Sequence, residues 1–142
     1  MRLVLDTNIV LSGLIWHGTP ARLFRLASEG RIKLITSERL LAELQTVVAR
    51  KKFTSVLLRR NRSQADILFG YALLCEIVAP QPIPPTVLRD PDDDAVLAAA
   101  LAERADLIVT GDLDLLDIGT FRTIPILTAA QAVTMIERQE AK

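Results

Sequence analysis

The stretch RLVLDTNIVLSGLI, Arg2 to Ile15, begins as a short apolar segment, meets Asp6-Thr7-Asn8, and then spaces Ile9, Val10, Leu11, Leu14 and Ile15 as a helix does. It reads as strand, turn, helix. The same succession returns further along. Thr19-Pro20 starts a helix with the hydroxyl as cap and proline in the first turn, continued by Leu23, Phe24 and Ala27 and stopped by Gly30. Ile32 to Thr36 is a second strand. Ser37 caps a helix with the stripe Leu40, Leu41, Leu44, Val47 and Val48, which ends in Arg50-Lys51-Lys52, of the sign that complements a helix C-terminus. A helix follows from Ser63 to about Leu74, then a short strand from Glu76 to Ala79, and Pro80, Pro82, Pro84 and Pro85 impose an extended connection. Asp92 or Asp93 caps the helix Ala95 to Ala102. Leu107 to Thr110 is a strand before the turn Gly111-Asp112, Ile124 to Leu127 is the last strand, and Thr128 opens the terminal helix. The alternation predicts an α/β fold with a mainly parallel central sheet flanked by helices, and 142 residues, 50% of them hydrophobic, suit one domain over residues 1–142.

Composition excludes several chemistries. One cysteine, Cys75, rules out an intrachain disulfide framework, and one histidine, His17, rules out zinc sites built from several Cys and His ligands. The longest apolar run, Ala95 to Ala102, is far short of the ~18 residues of a membrane helix, and Asp6 interrupts any signal-peptide core. A cytoplasmic protein with no membrane partner is the expectation. Neither Gly-rich phosphate motif occurs, and Asn8 stands where a phosphatase of the haloacid-dehalogenase type needs a second Asp. The formal net charge of zero hides a polarity: residues 1–62 hold 12 Lys/Arg against 4 Asp/Glu, and the remainder 5 against 13. Arg50, Lys51, Lys52, Arg59, Arg60 and Arg62 form a basic run without an acid, while Asp90, Asp92, Asp93 and Asp94 crowd together. A basic run is commonly just a solvated surface, but the contrast also suits an anionic ligand and a cation.

In a parallel sheet the working crevice lies beyond the carboxyl ends of the strands. Asp6 and Asp112 each follow an apolar strand, so they share an edge if the two strands are neighbours. Glu43 flanks an apolar stripe, three residues after Leu40, where an uncompensated carboxylate is costly. Asp94 aligns at helical spacing with Ala98 and Leu101. The competing account gives each acid only a capping or dipole-complementing role. Four carboxylates converging on one edge make a site of hard oxygen ligands for which Mg2+ or Mn2+ is the natural occupant, and metal-assisted phosphodiester hydrolysis follows.

LDTN at Leu5 to Asn8, the helical Glu43, DPDDDAVLAAAL at Asp90 to Leu101 and VTGDLDLL at Val109 to Leu116 together resemble the PIN-domain family over nearly the whole chain. The resemblance is strongest to its bacterial branch of toxin components of toxin-antitoxin systems, related to the VapC-like ribonucleases. It implies a Mg2+- or Mn2+-dependent endoribonuclease leaving a 5′-phosphate and a 3′-hydroxyl, working on RNA, held by a cognate antitoxin and forming a homodimer. On that resemblance Asp6, Glu43, Asp94 and Asp112 are the catalytic and metal-binding acids, and Thr7, Asn8 and Thr110 orient carboxylates and water. Asp93 stands as the alternative to Asp94 if the helix begins a residue earlier, and Asp114 as the alternative to Asp112. Arg50, Lys51, Lys52, Arg59, Arg60 and Arg62 are expected to follow the RNA backbone. A catalytically weak binding module of the same fold, acting through a protein partner or RNA, is the other reading.

Overall fold

A computed structural model describes residues 1–141. Six strands form one sheet in the order β3-β2-β1-β4-β6-β5: β1 (Arg2–Leu5), β2 (Lys33–Ser37), β3 (Cys75–Val78), β4 (Leu107–Val109), β5 (Thr120–Phe121) and β6 (Ile124–Leu127). All neighbours pair in parallel except β5 with β6. The helices are α1 (Thr7–Ile15), α2 (Thr19–Ser28), α3 (Glu38–Val48), α4 (Lys51–Arg59), α5 (Gln64–Leu74), α6 (Pro91–Ala102), α7 (Leu113–Ile118) and α8 (Ala129–Glu140).

The strands alternate strictly between two cores. Leu3 and Leu5 of β1, Leu34 of β2 and Leu107 and Val109 of β4 join one cluster with residues from α1 to α5 and α8. Val4, Ile35 and Ile108, the residues between them, join a second cluster with Val96, Leu97, Ala99 and Ala100 of α6 and Leu115 of α7. Side chains two apart on a strand point the same way, so apolar residues at every position bury both faces of the sheet. Between α1 and α2 the spacing depends on Gly13, where a Cβ would sit 2.2 Å from the Phe24 ring.

Several helix starts follow the expected chemistry. Ser37 accepts from the backbone N–H of Leu40, and Ser63 and Thr128 each complete a reciprocal capping box. Others differ. Gly18, not the Thr19 hydroxyl, occupies the position before α2, and no side chain caps it. The basic run does not end α3: that helix stops at Val48, and Lys51 and Lys52 fall in the first turn of the separate helix α4, where the helix dipole disfavours cations. Asn61, with φ 52°, ends α4 in the left-handed region. Helix α6 begins earlier than expected, with Asp90 as cap and Pro91 in its first turn. The short α7 and the two-residue β5 had no counterpart in the sequence reading.

Candidate active site

Strand β1 leads leftward to β2 through α1 and α2, while its other neighbour β4 arrives later in the chain, so the β1–β4 boundary is a topological switch point. Leu5 pairs with Val109 there, and the N–H of Asp6 donates to Val109 O at 2.9 Å. The next residues on the two strands, Asp6 and Thr110, are therefore side by side. Asp6 caps α1, accepting from its neighbour Thr7 N–H through Oδ1 at 2.8 Å. The Thr110 hydroxyl, wholly buried, donates to Asp6 Oδ2 at 2.7 Å and accepts from Asp112 N–H at 3.0 Å. Asp112 in turn caps α7 by accepting from Asp114 N–H at 2.8 Å.

The third acid comes from α6. Oxygens of Asp6, Asp93 and Asp112 lie within 4.8 Å of one another. Asp93 is 4% exposed, and its Oδ2 is buried without a hydrogen-bond partner. Burial, then the hydrogen bond and charge of Asp112, push its carboxyl up to about 8. Burial likewise raises Asp6, against the hydrogen bonds from Thr110 and Thr7. Glu43, half-buried on α3 and expected as a fourth ligand, is not one of the acids whose oxygens converge, though it is close enough to Asp6 to feel its charge. Its carboxyl is raised by burial first and then by the charges of Asp6 and Asp92, with a hydrogen bond to Thr7 opposing. Three helix N-termini meet here, since Asp6 and Asp112 are caps and Asp93 sits in the first turn of α6, and their partial positive charge eases the concentration of carboxylates.

Asp94 is not among the converging groups. Its carboxylate turns away to accept from Val87 N–H at 2.8 Å and from Thr86 N–H at 3.1 Å, tying the proline-rich connection to α6. The reason is helical phase. With the helix starting at Pro91, Asp93 shares a face with the buried Val96, Leu97 and Ala100, three, four and seven residues on, whereas Ala98 and Leu101, aligned with Asp94, are only half-buried. The alternative Asp93 is thus the acid brought to the cluster. Asp114 contributes its backbone N–H to Asp112, and its carboxylate lies 3.9 Å from the Arg89 guanidinium. Thr7 is buried at the site and Asn8 is exposed. Arg39, unremarked in the sequence, pairs with Asp92 at 2.9 Å on the rim. Arg50, Lys51, Lys52, Arg59, Arg60 and Arg62 are exposed along and beyond α4.

The donor set fits a small divalent cation. Three carboxylates offer hard oxygens, one of them buried and unpartnered, and mutual repulsion plus burial leaves them short of positive charge.

The PIN domain family model matches residues 2–114, a span holding Asp6, Glu43, Asp93 and Asp112. None of the curated protein sequences matches the chain significantly. Among solved structures, a chain in the crystal structure of VapBC2 from Rickettsia felis, bound to a DNA fragment from their promoter, is similar at a TM-score of 0.58 and 20% identity, covering 89% of this chain and 97% of that one. At that identity the likeness concerns the fold. No helix among the described residues is long and apolar enough to cross a membrane. With the family model spanning most of its length and the acids gathered at the β1–β4 edge, the chain belongs to the PIN domain family.

Proposed function

We propose that this chain is a Mg2+- or Mn2+-dependent endoribonuclease that hydrolyses RNA phosphodiester bonds, acting as the toxin of a type II toxin-antitoxin pair. The observation that carries the reading is the convergence of Asp6, Asp93 and Asp112, with Asp93 Oδ2 buried and unpaired. Membership of the PIN domain family supports nuclease chemistry, and the VapBC2 complex from Rickettsia felis supports an antitoxin partner.

In this reading Asp6, Asp93 and Asp112 hold the cation. A divalent ion there supplies Lewis acidity toward a phosphate oxygen and lowers the pKa of water. The chain's own groups do the rest. Thr110 fixes Asp6 by donation and Asp112 through its backbone, so two of the three ligands are preorganised by one hydroxyl. Glu43 stands next to Asp6 with a proton affinity above that of a free glutamate, which suits it to take the proton released as water attacks phosphorus. Asp94 anchors the connection carrying Arg89 rather than the metal. The basic residues of α4 and its end neutralise backbone phosphates.

The test is hydrolysis of single-stranded RNA by the purified chain with Mg2+, with Mn2+ and with chelator, beside the Asp6→Asn protein. Metal-dependent cleavage that Asp6→Asn abolishes, with its fold intact by circular dichroism, supports the reading. Equal turnover in both proteins, or none in either, contradicts it, and absence of Mn2+ binding by calorimetry leaves a binding module in its place.

A further inference from the structure

Trp16 stands where α1 ends. Its backbone N–H donates to Ser12 O, the chain turns extended, and Ile15 before it is buried, while Trp16 itself is 47% exposed. An indole left so open forgoes the burial that tryptophan usually finds. The guanidinium of Arg60, just past α4, lies 5.8 Å from its ring centroid, so the surface offers an aromatic face with a planar cation against it.

The flanking sequence is basic. No Asp or Glu occurs in residues 7–28 or 44–65. Among the described residues none of Arg50, Lys51, Lys52, Arg59, Arg60 and Arg62 lies within ion-pair distance of a carboxylate, whereas Arg2, Arg22, Arg31, Arg39 and Arg89 each do. Lys51 and Lys52 even occupy the first turn of α4, where the helix dipole disfavours cations and a bound anion would relieve the conflict. Solubility explains free cations but not an open indole. An apolar partner explains the indole but not free cations. An unpaired nucleic-acid strand answers both, with phosphates against the cations and a base against the ring.

We propose that Trp16 and Arg60 form a base-stacking subsite for single-stranded RNA. The proposal rests on the nuclease reading and adds a place on the chain that holds a base of its substrate, one open to an unpaired strand alone, since bases in a duplex are already stacked on one another. Helix α1 connects the two places: Asp6 caps its start and Trp16 follows its end, and the ten residue steps from one to the other, at a rise of about 1.5 Å each, separate them by roughly 15 Å, a span that a few nucleotides cover.

Trp16 is the chain's only tryptophan, so indole emission, excited where Tyr71 does not absorb, reports this spot alone. The full chain in excess chelator is titrated with a short mixed-sequence single-stranded RNA and with the matching duplex, reading tryptophan emission and the anisotropy of labelled RNA. The expected result is saturable quenching by the single strand and not by the duplex. Trp16→Ala should then weaken single-strand binding about tenfold with the salt dependence unchanged, Trp16→Phe should restore most of it, and Arg59→Ala with Arg60→Ala should flatten the salt dependence. RNA binding with unchanged emission and an unaffected Trp16→Ala protein overturns the subsite and leaves the nuclease reading standing. Equal quenching by duplex overturns the preference for an unpaired strand, and an emission change driven by protein concentration alone gives the face to a second copy of the chain. Failure both to bind RNA and to cleave it with Mn2+ overturns the subsite and the nuclease reading together.

Discussion

Asp93 and Asp94 are neighbours of identical chemistry, and the structure predicts opposite consequences for removing them. Asp94 accepts from the N–H groups of Val87 and Thr86 at 2.8 and 3.1 Å. Hydrogen bonds to a charged acceptor are worth about 1.5–3 kcal/mol each, and with this pair partly in solvent the low end applies, so Asp94→Ala should cost about 2–3 kcal/mol. For a chain of this length that lowers Tm by roughly 10 °C. Asp93 works the other way. Its carboxyl is pushed from an ordinary 3.8 up to about 8, so at pH 7 the unfolded chain gains from ionisation and the native state does not. Asparagine removes that difference, so it should stabilise the metal-free protein at pH 7. Thermal unfolding in chelator and then in Mn2+, with calorimetric Mn2+ titration, separates the two. Asp94→Ala should melt lower yet keep a Mn2+-induced rise in Tm, while Asp93→Asn should melt higher and lose that rise. A lost Mn2+ response in Asp94→Ala with a retained one in Asp93→Asn would refute the assignment.

Thr110→Val leaves Asp6 Oδ2 and the Asp112 N–H without their partner, which should cost about 1–3 kcal/mol in urea unfolding and weaken Mn2+ binding. In chelator the native state retains protons on Asp93 that the unfolded chain has released, so stability should fall as pH rises from about 4 to about 8. Urea midpoints across that range should decline for the parent and decline less steeply for Asp93→Asn, where the raised carboxyls of Asp6 and Glu43 remain. Gly13→Ala should lower the stability read from urea unfolding by about 1–3 kcal/mol despite the better helix propensity of alanine, because the new Cβ runs into the Phe24 ring. A rise in the midpoint would show that α2 moves aside at little cost.

Most of the architecture was legible because local signals and burial agreed. The apolar run before Asp6 is β1, and Ser37, Ser63 and Thr128 mark helix starts where a hydroxyl is followed by helical periodicity. The site was legible to the level of strand ends: Asp6 and Asp112 share an edge because β1 and β4 pair. What failed was phase and continuity. Asp92 and Asp93 are cap-forming residues too, but Asp90-Pro91 carries the stronger start signal, and a helix from Pro91 puts Asp93 on the face of Val96 and Leu97. The Arg50-Lys51-Lys52 run looked like a helix C-terminus because its charge suits one, yet Val56 and Leu57 bury a separate helix against the core, and packing outweighs the dipole conflict. The openness of Trp16 has no local signal, since it depends on which distant residues reach its ring, and Arg60 does so from 44 positions away.

The most direct test of the central claim is the anomalous difference map of a Mn2+-soaked crystal. The account predicts a peak within coordination distance of Asp6, Asp93 and Asp112, with Asp94 still on Thr86 and Val87. A peak held by Asp94, or no peak at these three carboxylates under conditions where the chain cleaves RNA, would contradict it.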